Sequence, residues 1–240
     1  PRDLWVNIPQ HEPERINTVD FLGHYTKYPG GGPALLNRTL QENFGFGFDR
    51  YIRVDFAGFV EIIDTLGGIE LEVDCAYEER FADPAVPGGR LLSVEPGWQH
   101  MDGHTALMYI RSRHGTGDAD RSRRQFKVLL ALREKALQLD TITLLPQLWN
   151  SYRVSVQTDL KLTEALQMVA WLHDFDPHEI HGQIIDQSMA TPWTTPSGAW
   201  VLLPDTEKIR NAYANIMNTS TIEDVGRHNV ICPKPSPETE

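Results

Sequence analysis

Hydrophobic and polar positions follow readable periods along much of the chain. Leu4, Val6 and Ile8 alternate, which predicts a short strand within residues 1–9. Residues 24–33 are rich in Gly and Pro and predict a loop. Leu35, Leu36, Leu40 and Phe44 then fall on one side of a helix over 33–44, and 51–55 reads as a strand. The clearest signal follows. Phe56, Phe59, Val60, Ile62, Ile63 and Leu66 recur at helical spacing, and Gly67-Gly68 supplies a left-handed stop. Ile69, Leu71 and Val73 alternate with Glu70, Glu72 and Asp74, the pattern of a half-buried strand. Strand, helix, glycine stop and strand together predict a βαβ-like unit with a right-handed crossover.

Further along, prolines and glycines between 82 and 97 predict an excursion loop. Residues 102–110 read as a short helix or a helix-to-strand transition, and 115–118 as a flexible break. The longest helix is predicted over 121–139, and another over 162–175 with Asp159 or Thr163 as its cap. Strands are predicted at 180–185 and 201–203, and a helix over 205–217 capped by Asp205. The stretch 232–240 holds three prolines and no periodicity, which predicts a mobile tail. There are no repeats, and no linker divides the chain. The class is α/β, with helices covering a mixed central sheet.

Charge changes this picture. Lys plus Arg is 22 and Asp plus Glu is 33 in 240 residues, a net charge of −11. That excludes general nucleic-acid binding, which needs a positive footprint. No apolar run approaches the roughly 20 residues needed to span a bilayer. Two cysteines, Cys75 and Cys232, form no C-x-x-C pair. They are either one disulfide or two buried thiols.

Arg outnumbers Lys by 16 to 6, and five of the arginines fall between Arg111 and Arg124. A planar guanidinium grips phosphate or carboxylate with two parallel hydrogen bonds. On the long helix, with Arg123 at zero and about 100° per residue, Arg121 lies near 160° and Gln125 near 200°. Val128 and Leu132 lie between about 140° and 180°. Arg121 and Gln125 are therefore expected on the apolar side, Arg123 in solvent and Arg124 at the boundary. Arg111 and Arg113 share one side if extended, and Asp118 and Asp120 lie in the loop between. The functional reading is a guanidinium pocket for a diphosphate with a carboxylate beside it. The plain alternative is a surface Arg–Asp network of little energetic weight.

Other motifs carry less. His100 and His104 are four apart but lack the H-E-x-x-H pattern, so ordinary polar histidines are the reading. Gly45-Phe46-Gly47 lacks the third glycine of a dinucleotide loop, and no G-x-S-x-G or G-x-x-x-x-G-K is present. The apolar residues of 56–66 read as core, with a lipid channel as the second reading.

Several stretches together resemble the LytR-CpsA-Psr family of cell-wall glycopolymer transferases. They are Pro1-Arg2-Asp3, Arg15-Ile16-Asn17, Tyr51 to Phe56 with Gly58-Phe59, and Asp64-x-x-Gly67-Gly68. Gly97-x-Gln99, Asp102-Gly103 and Ala106-Leu107-x-Tyr109-x-Arg111-x-Arg113 follow, then Asp118-x-x-Arg121-x-x-Arg124-Gln125. The resemblance implies an extracytoplasmic enzyme of the bacterial cell envelope, tethered to the membrane by an anchor outside this chain. It implies transfer of a glycopolymer, with its phosphate, from a polyprenyl pyrophosphate carrier to peptidoglycan. The implied fold is a mixed sheet flanked by helices on both faces, a single domain over 1–228 with an apolar channel, and a tail over 229–240. By position Arg2, Arg15, Arg111, Arg113, Arg121 and Gln125 match the pyrophosphate-binding residues. Asp118 matches the acidic residue that assists the acceptor hydroxyl, so Asp118, Arg121 and Arg113 are the implied catalytic set. Mg²⁺ is implied too, with its ligands and a core strand ahead of Pro1 and Asp3 as a substitute ligand. A polyprenyl-pyrophosphate scaffold without turnover, or a pyrophosphatase using water, are the alternative functions.

Overall fold

The computed structural model describes residues 1–83, 85–112, 118–138, 155–174, 184–186, 188–218 and 232. In chain order the strands and helices are β1 (Trp5–Val6), β2 (Glu14–Arg15), α1 (Val19–Tyr25), α2 (Gly31–Phe44), β3 (Ile52–Val54), α3 (Phe56–Thr65) and β4 (Ile69–Val73). Then come β5 (Tyr77–Phe81), β6 (Arg90–Val94), β7 (Gly97–Met101), α4 (Gly103–Arg111) and α5 (Asp118–Gln138). The chain continues with β8 (Val156–Thr158), α6 (Leu162–Asp174), β9 (Ala190–Thr194), β10 (Trp200–Pro204) and α7 (Thr206–Asn218). The α/β class is as the periodicity predicts.

The chain forms two compact units, each discontinuous in sequence. The first comprises residues 1–51 and 181–225, the second 52–180 and 226–240. In the first unit β9 and β10 are antiparallel, β1 and β2 are antiparallel, and Leu4 bridges Leu202 in parallel. The result is a small mixed arrangement. Its core is the predicted alternation of Leu4, Val6 and Ile8, packed with Val19, Leu35, Phe44, Ala190, Leu202 and Ile209. Asp205 caps α7 as expected, its Oδ1 accepting from the Lys208 N–H at 3.1 Å.

The second unit is built on antiparallel pairs. β4 pairs with β7, β5 with β6 and β3 with β8, all antiparallel. Ile69, Leu71 and Val73 point inward and Glu70 and Glu72 outward, as the alternation requires. They pack with Ile63, Tyr77, Leu92, Met101, Met108, Tyr109, Val128 and Ala131. Asp55 caps α3 by accepting from the Gly58 N–H at 2.7 Å. Gly68, at φ +85°, passes so close to His100 that an added Cβ would sit 2.5 Å from the ring.

Several expectations need correction. β3 and β4 do not pair across α3, because each finds an antiparallel partner further along the chain, so no parallel βαβ unit forms. Among the described residues, two-stranded ladders replace the single central sheet. The excursion loop contains β6, whose Arg-Leu-Leu-Ser-Val run pairs with β5. The described residues 82, 83 and 85–89 join the two strands. The strand expected at 180–185 is not formed at 184 and 185, and 180–183 lie outside the described residues. β9 was not expected at all, because Pro192 breaks its pattern. Cys75 and Cys232 form a disulfide, so the start of the supposed tail is tied to the second unit. Residues 233–240 lie outside the described ones. No helix of the described residues is long and apolar enough to cross a membrane.

Candidate functional site

Each unit carries its own set of the arginines singled out as anion ligands. In the first unit Arg2 and Arg15 share one carboxylate. Arg2 Nε lies 3.5 Å from Asp3 Oδ2, and Arg15 Nε lies 3.2 Å from Asp3 Oδ1. Arg15 Nη2 also donates to the Trp200 carbonyl at 2.8 Å. Asp3 lies in the turn just ahead of β1, two residues before Trp5, which is the register partner of Arg15. Both oxygens of Asp3 face guanidinium groups. That does not fit a magnesium ligand. Among the described residues no three acidic, His or Cys side chains cluster to hold a metal.

In the second unit the set lies where α4 ends. Asp102 caps α4 at its start, its Oδ1 accepting from the Thr105 N–H at 2.7 Å. Burial opposes the charge of Asp102, but the bonds from Thr105 and the field of His104 outweigh it, so its carboxyl sits below the usual range. Gly103 lets α4 press on α3. A Cβ there would meet the Val60 carbonyl oxygen at 2.3 Å, and the Gly103 N–H donates to Asp64 Oδ1 at 2.7 Å. Beside this crossing lies an open groove of about 640 Å³, lined by Phe56, Ala57, Val60 and Leu107 with Glu61, Asp64, Thr65 and His104. Much of α3 is exposed rather than core, Phe56 being 60% exposed.

Arg111 is the last residue of α4. Its guanidinium carbon lies 4.7 Å from the centroid of the Phe56 ring and 5.5 Å from that of Phe81. It is exposed, and among the described residues no carboxylate pairs with it. Phe56 thus carries a cation beside its ring and lines the apolar groove as well.

α5 packs on α4, but with a rotation that the angular reading misjudged. Arg124 is the buried residue, with Val128 and Ala131. Gln125 and Leu129 are exposed, so the apolar side centres near Arg124 rather than about 60° beyond it. Arg123, expected in solvent, is only 12% exposed and donates from Nη1 to Asp120 Oδ1 at 2.5 Å. Arg121 is half-buried. Arg113 lies outside the described residues, as does the side chain of Asp118, whose backbone opens α5. Within the second unit the structure therefore carries Arg111, Arg121 and Gln125 on two packed helices. Arg2 and Arg15 are brought together in the first unit.

The sequence reading missed Phe56 and Phe81 as partners of Arg111, and Arg124 as a buried group. Only Arg124 left a trace, as a charge on the edge of an apolar stripe. His100 is a polar surface residue, its Nδ1 2.6 Å from Glu70 Oε1 across the β4–β7 ladder.

The comparisons with known proteins agree with the resemblance. A family model described as the LytR_cpsA_psr family matches residues 1–218. The regulatory protein MsrR of Staphylococcus aureus is 30% identical over 162 residues, covering 66% of this chain and 44% of the relative. The polyisoprenyl-teichoic acid–peptidoglycan teichoic acid transferase TagU of Oceanobacillus iheyensis is 32% identical over 164 residues, 68% of this chain and 48% of the relative. The chain thus spans less than half the length of these curated relatives. Among solved structures, TagV of B. subtilis superposes with a TM-score of 0.66 at 24% identity, over 91% of this chain and 82% of that one. TagT bound to LIIa-WTA gives 0.67 at 20% identity, over 91% and 76%. The fold is shared with these neighbours, and the chain belongs to the LytR-CpsA-Psr family.

Proposed function

We propose that this chain carries the catalytic part of a transferase that moves a polyprenyl-pyrophosphate-linked glycopolymer, with its linking phosphate, onto peptidoglycan. One observation carries the proposal. Phe56 lies beside the Arg111 guanidinium, which has no carboxylate partner among the described residues, and also lines an apolar groove, so the two halves of a lipid diphosphate have adjacent partners in one unit. An isoprenoid tail gains by leaving water for the groove. Its diphosphate gains charge-assisted hydrogen bonds from the planar guanidinium.

In the reaction the acceptor hydroxyl oxygen forms a bond to the phosphorus that carries the glycan. The bond from that phosphorus to the polyprenyl phosphate oxygen breaks, and the hydroxyl proton passes to a base. Asp118 is the candidate base, and Arg111, Arg113, Arg121 and Gln125 the candidate head-group ligands of the second unit. Arg2 and Arg15 are those of the first. Negative charge grows on the leaving phosphate, so a fixed cation stabilises the transition state more than the ground state. Magnesium belongs to the proposal through the family alone. The proposed setting is the outer face of a bacterial membrane, with an anchor outside this chain and the carrier lipid and peptidoglycan as partners.

The test is turnover of a lipid-linked oligosaccharide with short peptidoglycan acceptors. Release of polyprenyl phosphate together with a phosphate-linked glycan on the acceptor supports transfer. Release without acceptor labelling would indicate the pyrophosphatase instead, and binding without release the scaffold.

A further inference from the structure

We propose that Arg124 is a positioning residue for Arg111: its buried guanidinium fastens the open end of α4 on which Arg111 stands. The proposal rests on the reading of Arg111 as a diphosphate ligand. The last carbonyls of a helix have no partners within it. Arg124 reaches across from α5 to supply them, donating from Nε to the Tyr109 carbonyl at 3.1 Å and from Nη2 to the Ser112 carbonyl. These two carbonyls flank Arg111. Arg124 is 2% exposed, with its guanidinium carbon 4.8 Å from the Tyr77 ring centroid and 5.7 Å from that of Tyr109. A buried charge is costly unless hydrogen-bonded, and a cation at a helix C-terminus also meets the negative end of the helix dipole.

One strand fixes the whole corner. Tyr77, Glu79 and Phe81 alternate along β5 and so share a side. Tyr77 lies beside Arg124, Glu79 accepts a hydrogen bond from Ser112 Oγ at 2.6 Å, and Phe81 lies beside Arg111. Successive residues of that side thus hold the fastener, the turn and the exposed cation. A lysine at 124 would keep the charge but not the fork. Its ammonium is a compact point charge and cannot span two carbonyls in a plane between aromatic rings.

The experiment compares the whole chain with Arg124→Lys and Glu79→Gln. Amide hydrogen exchange is read at 110–112 and, as a control, in the β4–β7 ladder, and calorimetry gives the affinity for inorganic pyrophosphate. Arg124→Lys is expected to raise exchange at 110–112 at least tenfold, leave the ladder protected and weaken pyrophosphate binding about tenfold. Glu79→Gln, which keeps Arg124, is expected to move both readouts in the same direction by a few-fold. It serves as the test if Arg124→Lys fails to fold. Unchanged exchange overturns the proposal, and so does faster exchange with wild-type affinity. A general fall in ladder protection also overturns it, because that marks a merely structural residue. Absence of pyrophosphate binding in the wild type would instead sink the proposed function, and the exchange arm would still decide the fastener.

Discussion

The Arg2–Asp3–Arg15 cluster and the end of α4 present the same chemical group in opposite conditions. In the first, one carboxylate faces both guanidinium groups, which are partly neutralised before any ligand arrives. In the second, Arg111 lies against two phenyl rings, and its acid partner is lacking among the described residues. Aromatic faces hold a cation in place without consuming its hydrogen bonds. A protein of charge −11 has acids enough to pair with every arginine. Arg111, with no carboxylate partner among the described residues and beside a ring that lines an apolar groove, is the group proposed to take an anion with an apolar tail.

Arg111→Ala should break the contrast most severely. Loss of a transition-state donor of this kind costs about 10²–10³ in turnover, and the melting temperature should stay near wild type because the side chain is exposed. Turnover and thermal melts together check this. Asp3→Ala probes the other region. It removes orientation but leaves both cations, so turnover should fall by less than about tenfold, with about 1 kcal/mol or less lost in stability. An effect as large as that of Arg111→Ala would erase the distinction between the two regions.

Asp102→Ala should cost about 1 kcal/mol at neutral pH by uncapping α4. The folded carboxyl sits below its ordinary range, so this contribution is complete above the unfolded value. It is lost as the pH falls through the folded value. Melts of both proteins from pH 7 downward should therefore converge in acid. Smallest is Tyr109→Phe. Its hydroxyl is buried without a hydrogen-bond partner among the described residues, and burial pushes its ionisation above the usual tyrosine range. Removing an unsatisfied oxygen while keeping the ring beside Arg124 should leave stability within about 1 kcal/mol of wild type, on the stable side. Denaturant titration measures it.

The sequence was most legible where one face of an element meets one core. Ile69, Leu71 and Val73, or Leu4, Val6 and Ile8, announce their strands because burial alternates with period two. Asp205 announced its helix start because a cap is a local bond, whereas Asp55, read as the end of a strand, caps α3. Pairing was not legible. β3 finds β8 about a hundred residues away, and β6 hides behind a glycine- and proline-rich turn. The site followed the same rule. Arg111 could be named from its spacing to Arg113, Arg121 and Gln125, whereas its neighbours Phe56 and Phe81 lie far off in sequence. Arg124 was misplaced because a buried arginine distorts the stripe from which a helix face is read. Its Tyr109 and Ser112 partners belong to another helix end.

The most direct measurement is a crystal structure of the chain with a short polyprenyl diphosphate. The account predicts a diphosphate within hydrogen-bond distance of the Arg111 guanidinium and the first isoprene units in the groove beside Phe56 and Val60. A diphosphate bound elsewhere while Arg111 meets only water, or a tail outside that groove, would contradict it.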